Sequence, residues 1–269
     1  MFFTNHGKAF WLKGYKIPEG SRQFKGKAII NLLPMLDEGE VVQTAIPIHE
    51  FDDQHNLVFS TKKGIIKKTV LSAYQHVRVN GIRAIHLEED DELISTQLSD
   101  GSQTIMLATA KGQACRFNEP EVRPMGRVAR GVRGVRLNEG DYVVSMAIVG
   151  EEGDLLTITE NGFGKRTTIS EYRKTHRGSK GVKTIVTNER NGNVIYVREL
   201  TDDDEIMLTS REGMIVRIPV RDIRIQGRNT MGVRVMRLNE GDTVVSVAKI
   251  VESANDDESE DDACGLLSE

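Results

Sequence analysis

The chain has 269 residues, a formal net charge of -4 and a hydrophobic share of 38%, which is enough apolar material for a folded domain. No stretch approaches the roughly 18 apolar residues of a membrane span, and the N-terminus lacks a basic region followed by an apolar run, which argues against membrane and exported proteins. The two cysteines, Cys115 and Cys264, are too few for a disulfide scaffold, so we expect a cytoplasmic protein.

Five copies of a unit of about fifty residues follow one another, over about 1–47, 48–98, 99–149, 150–200 and 201–251. Each copy contains two glycines that lie 17 to 19 residues apart. The first glycines are Gly7, Gly64, Gly112, Gly162 and Gly213. The second glycines are Gly26, Gly81, Gly131, Gly181 and Gly232. Copies three and five continue almost identically, as "RLNEGDYVVS" and "RLNEGDTVVS", which indicates duplication.

Each copy is predicted to form four short strands. In copy three they are Thr104 to Thr109, Gln113 to Phe117, Val132 to Leu137 and Val143 to Val149. A tight turn at Lys111 and Gly112 joins the first two, because glycine accepts a positive φ there, and we expect the first glycines to serve this turn geometry alone. Four strands in each fifty-residue unit predict an all-β propeller of about five four-stranded blades.

Positive charge is concentrated around the second glycines. The segment from Glu121 to Leu137 carries five arginines against one acid. The acids cluster elsewhere, in Leu87 to Glu92 and Thr201 to Glu205, so we expect a basic band on the rim and acids on another face. The last residues, 252–269, carry eight acids and no Lys or Arg, which predicts an acidic disordered tail and leaves a body of about +4.

Several motifs resemble the C-terminal domain of the A protein of DNA gyrase, a type IIA topoisomerase. They are "YKIPEGSRQFKGKAIINLLP" (15–34), "KKTVLSAY" (67–74), "RPMGRVARGVRGVRL" (123–137), "ENGFGKRT" (160–167) and "IQGRNTMGVRVMRL" (225–238). The resemblance spans Phe2 to about Val251. It implies a β-pinwheel, a propeller-like disc whose blades exchange a strand with their neighbours and whose basic rim wraps DNA.

The resemblance and the charge pattern together predict a non-catalytic module that binds double-stranded DNA through backbone phosphates. Aromatic residues are only 5% of the chain, which disfavours a stacking platform for single strands. The implied protein partners are the rest of the DNA gyrase A protein and the DNA gyrase B protein in a heterotetramer. The candidate DNA-binding residues are Lys13, Lys16, Arg22, Lys25, Lys27, Lys67, Lys68, Arg78, Arg83, Arg116, Arg123, Arg127, Arg130, Arg133, Lys165, Arg166, Arg173, Lys174, Arg177, Lys180, Lys183, Arg217, Arg221, Arg224, Arg228 and Arg234.

The sequence departs from the family in one respect. The family domain normally has six blades, and its first blade carries a basic heptapeptide of the Gln-Arg-Arg-Gly-Gly-Lys-Gly type, the gyrase box. This chain lacks the heptapeptide, and its nearest basic run, Ser21 to Lys27, matches the family's second blade. We therefore expect a fragment without the first blade that binds DNA but does not wrap it completely.

Catalysis is not expected from this chain. The DNA-cleaving tyrosine of type II topoisomerases follows an arginine, and none of the chain's five tyrosines does. No phosphate-binding loop pattern and no metal-ligand spacing is present, so no cofactor and no metal are expected. ATP hydrolysis and DNA cleavage would belong to the assembled topoisomerase.

Two alternatives stay open. The corresponding domain of topoisomerase IV is a close relative that often has fewer blades and no box, although the segment Gly227 to Val233 and the acidic tail favour gyrase. The other alternative is a propeller that binds protein partners through a flat face.

Overall fold

A computed structural model describes residues 1–18, 27–33, 35–76, 78 and 80–250, and within them the fold is all-β. The predicted tail and the candidates Arg22 and Lys25 lie outside the described residues. Nineteen strands, β1 to β19, are described, together with short 3-10 helices and no α-helix. None of the described helices is long and apolar enough to cross a bilayer.

The strands form five antiparallel sheets, which we call blades 1 to 5. Blade 1 contains β1 (Phe2–Thr4), β2 (Lys8–Phe10), β3 (Val42–Ala45) and β6 (Ile82–Arg83). Blade 2 contains β4 (Asn56–Thr61), β5 (Ile65–Val70), β7 (Leu93–Ser99) and β10 (Val132–Arg133). Blade 3 contains β8 (Thr104–Thr109), β9 (Gln113–Asn118), β11 (Val143–Val149) and β14 (Val182–Lys183). Blade 4 contains β12 (Asp154–Thr159), β13 (Phe163–Thr168), β15 (Val194–Leu200) and β18 (Val233–Arg234). Blade 5 contains β16 (Glu205–Ser210), β17 (Ile215–Pro219) and β19 (Val244–Ile250).

The outermost strand of each complete blade comes from the following repeat. In blade 3, for example, β14 pairs with β9 through Val182 opposite Ala114 and Lys183 opposite Gln113. The predicted third strand of copy three, Val132 to Leu137, is therefore shorter than expected, because only Val132 and Arg133 pair, and they pair with β5 of blade 2. Blade 5 has three strands in the described part of the chain.

The first glycines do more than shape the turn. Gly112 has a φ of +78°, as predicted, but its carbonyl also accepts a hydrogen bond from the Thr184 N–H at 2.8 Å. A Cβ at Gly112 would lie 2.4 Å from the Ile185 carbonyl oxygen. The corresponding Gly213 of blade 5 has a similar φ of +88° but nothing within 4 Å. In blade 3 the glycine thus also makes room for the exchanged chain.

Apolar packing lies between neighbouring blades, which explains why strands such as β8 are buried along their whole length and apolar in their middle. Between blades 1 and 2, for example, the rings of Phe3 and Phe59 pack edge to face at 5.6 Å. The inner strands β3, β7, β11, β15 and β19 surround a central cavity of about 660 Å³. The blades are thus arranged around one axis, and the second strands and exchanged strands lie at the rim.

Candidate nucleic-acid interface

Four connections run along the rim from one blade to the preceding one. We call residues 71–81, 119–131, 169–181 and 220–232 the interblade connections. Each begins with a 3-10 helix directly after the second strand of a blade and ends at a second glycine. The chain then enters the exchanged strand of the preceding blade. Because exchange places this segment outside the second strand, its exposed basic side chains lie at the outer edge of the disc, whereas Tyr74, Val122 and Tyr172 are buried beneath it.

The second glycines let the connection approach the preceding blade closely. Gly181 has a φ of +74°, and a Cβ there would lie 2.1 Å from the Ala114 carbonyl oxygen. A Cβ at Gly131 would lie 2.6 Å from the Ile66 carbonyl oxygen. Any other residue would push the exchanged strand away from its sheet.

A recurring arginine links successive connections. Arg127, Arg177 and Arg228 each lie four residues before a second glycine and are half-buried. The Arg127 guanidinium donates to the Arg83 carbonyl at 3.0 Å. The other two donate equivalently, to the Arg133 carbonyl at 3.3 Å and the Lys183 carbonyl at 3.1 Å. These three predicted site residues therefore fix the backbone of the rim, while part of each side chain stays exposed.

The remaining rim cations recur at fixed offsets from the second glycine and are exposed. Arg123, Arg173 and Arg224 lie eight residues before it, and Arg130 and Lys180 lie one residue before it. Two residues after it, in the exchanged strands, are Arg83, Arg133, Lys183 and Arg234. No carboxylate pairs with these last four in the described part of the chain. Equivalent positions of four successive blades thus carry unpaired positive charge.

Five predicted contacts are wrong, because these side chains are buried: Lys67, Lys68, Arg116, Lys165 and Arg166. Two of them bind the connection from beneath. The Lys165 ammonium donates to the Gly227 and Arg228 carbonyls at 2.7 and 2.8 Å, and Lys67 donates to the Ala84 carbonyl at 2.5 Å and to the Arg127 carbonyl. Their charge serves the backbone and does not reach the surface.

The other three buried cations occupy one equivalent position, four residues after a first glycine, and each pairs with a carboxylate. Lys68 lies 3.4 Å from Glu119, and Arg116 lies 3.1 Å from Glu151. Arg166 contacts Asp154 at 3.4 Å and also Asp202. A sequence shows that a residue is basic but not whether its side chain is buried. The buried and the exposed cations were therefore predicted alike.

Burial lowers the pKa of Lys67 to about 7, with the nearby Arg127 lowering it further. For Lys165, burial lowers the pKa to about 8, with Glu171 opposing and Arg228 adding to the effect. The unfolded chain keeps these lysines protonated up to about pH 10. Protons are thus released on folding between pH 7 and 10, and stability should rise with pH in that window.

We expect Lys67→Met to remove the part of this pH dependence that Lys67 contributes, while the part due to Lys165 remains. The free energy of unfolding of the parent chain should gain up to about 1.4 kcal/mol per pH unit relative to the variant between pH 7 and 10. Urea unfolding of both proteins at pH 7, 8 and 9 measures the difference. The exposed neighbour Lys63, replaced by Met, should leave the slope unchanged. A constant difference between parent and Lys67→Met would contradict the assignment.

The other predicted residues lie at the surface, some beside acids. Arg130 contacts Glu88 at 2.5 Å, Lys174 contacts Glu151 at 2.5 Å, and Arg217 pairs with Glu205. The remaining candidates in the described chain are exposed: Lys13, Lys16, Lys27, Arg78 and Arg221.

The two acidic clusters do not share one separate face, contrary to expectation. Residues 87–92 adjoin the β4–β5 turn, where the Lys62 N–H donates to the Glu92 carbonyl at 2.8 Å. Residues 201–205 lie beyond β15, at the opposite end of the strands from the β12–β13 turn. The acids therefore flank the rim at both ends of the sheets.

Sequence reasoning missed three exposed arginines. Arg136 and Arg237 lie five residues after a second glycine, so the repeat itself contains the signal that would have found them. Arg190 lies between β14 and β15 in a position without a basic counterpart in the other repeats, so no recurrence pointed to it.

His6, Asp37 and Glu40 bring ligand atoms within 4.8 Å of one another, a spacing that a metal ion could use. The Lys8 ammonium, however, contacts Asp37 at 2.5 Å and Glu40 at 3.3 Å. The two carboxylates already have a cation between them, so the cluster serves as an ion-pair network.

The family model described as DNA gyrase C-terminal domain, beta-propeller, matches residues 1–49, 55–100, 103–150, 153–199 and 204–250. Among curated relatives, the DNA gyrase A protein of Halalkalibacterium halodurans is 52% identical over 97% of this chain and 31% of its own length. The DNA gyrase A protein of Clostridium acetobutylicum is 47% identical over 97% and 31%. The chain thus spans about a third of the length of these relatives.

Two solved structures share the fold. The crystal structure of the C-terminal domain of DNA topoisomerase IV superposes with a TM-score of 0.84 at 32% identity, over 93% of this chain and 78% of the other. The structure of the DNA gyrase A C-terminal domain superposes with a TM-score of 0.81 at 27% identity, over 93% and 81%.

Proposed function

From the premise that this chain belongs to the DNA gyrase C-terminal domain family, we propose that it binds and bends double-stranded DNA along its rim. The observation that carries the proposal is the recurrence of unpaired cations in the exchanged strands, at Arg83, Arg133, Lys183 and Arg234. Charges at one position of successive blades can meet successive phosphates of a curved duplex. Such contacts read little base sequence.

Energetics favour many weak contacts over one strong site. Bending 20–30 bp of duplex costs on the order of 1 to 10 kcal/mol, and phosphate contacts spread along the curve offset that cost where it arises. Each neutralised phosphate also releases counterions. The affinity should therefore fall steeply as the salt concentration rises.

Within a longer gyrase A protein, this module would guide the DNA that the assembled enzyme passes through itself during ATP-dependent negative supercoiling. Cleavage and ATP hydrolysis would then reside in other parts of the assembly with the gyrase B protein. A protein with this role would lie in the compartment that holds the chromosome, which agrees with the cytoplasmic location expected from the sequence.

A titration of fluorescent 40-bp duplex, followed by anisotropy between 50 and 300 mM KCl, tests the proposal. We expect saturable binding with a slope of log affinity against log salt of about -3.6 or steeper, because at least four phosphates are contacted. Two duplexes of unrelated sequence should bind within about threefold of each other. Absence of binding at 50 mM KCl would refute the proposal.

The topoisomerase IV domain remains a second candidate, because its solved structure has a TM-score of 0.84 with this fold. The curated relatives named above are gyrase proteins, and the segment Gly227 to Val233 is intact, which favours gyrase. Fusion of the chain to a gyrase A protein that lacks its own C-terminal domain would separate them, since only a gyrase-type module should restore negative supercoiling.

A further inference from the structure

The rim of blade 4 contains a cleft. It has a volume of about 660 Å³ and is lined by Phe163, Arg190 and residues 232–237. An adjoining cavity of about 350 Å³ shares Phe163, Arg190 and Arg234 with it. We call the site formed by Phe163, Arg190, Arg234 and Arg237 the arginine cleft.

Three different elements build the arginine cleft. Phe163 is the first residue of β13 and is only 5% exposed, Arg234 ends the exchanged strand β18, and Arg190 lies in the loop between β14 and β15. The guanidinium carbons of Arg190 and Arg234 lie 5.5 and 5.6 Å from the centre of the Phe163 ring. Both guanidinium groups thus lie within cation–π distance of the same ring.

The loop that carries Arg190 is itself fixed. The Asn161 side-chain amide donates to the Glu189 and Arg190 carbonyls at 3.1 and 3.3 Å. The Asn193 N–H donates to Glu160 at 2.9 Å. The position of Arg190 above the ring is therefore set by the backbone and not by the arginine side chain alone.

The charge of the cleft is not neutralised by the described chain. No ion pair joins a carboxylate to Arg190, Arg234 or Arg237 in the part of the chain that the structure describes. Asp242, at the far end of the adjoining cavity, accepts hydrogen bonds from the Glu212 and Thr243 N–H groups at 3.1 and 2.8 Å. Arg190 and Arg234 thus share the adjoining cavity with one carboxylate that is already hydrogen-bonded to backbone.

Repeats that are otherwise alike differ at this place. The position of Phe163, directly after the first glycine, holds Lys8, Ile65, Gln113 and Met214 in the other repeats. The position of Arg190, nine residues after the second glycine, holds Asp90, Gly140 and Gly241 in the described repeats. Among the described repeats compared, a basic residue occupies this loop position only in the repeat that also has an aromatic ring after its first glycine.

We propose that the arginine cleft binds backbone phosphates of duplex DNA, which makes blade 4 the point of strongest contact on the rim. The inference rests on the proposed function, because the duplex must already follow the rim to reach Arg234. Planar guanidinium groups bind phosphate oxygens in a bidentate manner, and two that already contact one ring lose little freedom on binding. Arg190 is the contact residue that the repeat pattern alone does not reveal.

The experiment compares Arg190→Ala with Arg198→Ala, an exposed arginine that lines the central cavity and not the rim. Duplex affinity is measured from 50 to 300 mM KCl. We expect Arg190→Ala to weaken binding by about threefold to tenfold at 100 mM KCl and to reduce the salt slope by about one. Arg198→Ala should bind like the parent chain, and Arg190→Lys should recover part of the loss.

Equal affinities of the parent chain and Arg190→Ala would overturn the inference while leaving the proposed function intact. Failure of the parent chain to bind duplex would instead refute the proposed function. A titration with tripolyphosphate, followed by calorimetry, provides a further arm. Saturation at micromolar concentration that is lost in Arg190→Ala, together with equal duplex affinities of the two proteins, would assign the cleft to a free polyanion and overturn its assignment to DNA. Circular dichroism and thermal unfolding confirm that each variant is folded.

Discussion

Replacing Arg83, Arg133, Lys183 and Arg234 together with alanine is expected to weaken duplex binding by roughly a hundredfold to a thousandfold at 100 mM KCl, with a salt slope smaller by about 3.6. The four side chains occupy one position of four successive blades, are exposed, and pair with no carboxylate in the described chain. Losing them should therefore remove four phosphate contacts without leaving a buried charge. The anisotropy titration described above measures both quantities.

The control removes as many positive charges from elsewhere. Lys63, Lys111 and Arg211 lie at hairpin turns, and Arg198 lines the central cavity, so their joint replacement by alanine makes the same change in net charge. We expect this variant to lose less than about tenfold in affinity, through the general field of the protein. Similar losses of affinity in both variants would show that DNA binding depends on the net charge of the protein and not on the rim residues.

Gly112→Ala is expected to destabilise the fold far more than Gly213→Ala. Both glycines occupy the same hairpin position with a positive φ, so both variants should lose about 1 to 2 kcal/mol from backbone strain. Only at Gly112 would the new Cβ lie 2.4 Å from the Ile185 carbonyl oxygen. Displacing that buried segment should cost about 1 to 3 kcal/mol more. Urea unfolding of the two variants measures the difference.

The same pair tests whether rim and fold are coupled. Ile185 follows β14, which carries Lys183, so displacement of the segment should also weaken DNA binding by Gly112→Ala. Gly213→Ala, whose Cβ would meet nothing within 4 Å, should bind duplex like the parent chain. Equal stability of the two variants would contradict the role assigned to the covered glycine.

The sequence predicted much of the fold because the signals were local and repeated. The turn at Lys111 and Gly112 and the strand Thr104–Thr109 follow from residue types within a few positions. The exchange of strands was implied by family resemblance and not by the residues of one repeat. The residue types of Val182 and Lys183 do not indicate that the strand they pair with, at Ala114 and Gln113, belongs to the preceding repeat.

The candidate site was predicted less well, because the charge of a side chain does not determine whether it is buried. Lys67 and Lys68 lie on a strand with both faces covered, and there each side chain found oxygen partners. Arg133 and Arg234 lie on exchanged edge strands and stay exposed. The position of the strand within its sheet distinguishes the buried lysines from the exposed arginines, and the sequence does not show that position. Arg190 escaped for the opposite reason, because its role depends on Phe163, a neighbour in space that is distant along the chain.

Strand exchange also determines how the protein resists mechanical load. Each interblade connection starts on one blade and ends as the outer strand of the blade before it. A stiff duplex that tries to straighten would pull on such a connection, and the pull would be divided between two sheets. For a connection to detach, two kinds of contact would have to break together. These are the two-residue pairing of the outer strand and the hydrogen bonds that lysine and arginine side chains donate to the backbone. If the chain bends DNA as proposed, this architecture would distribute the force of the straightening duplex among neighbouring blades.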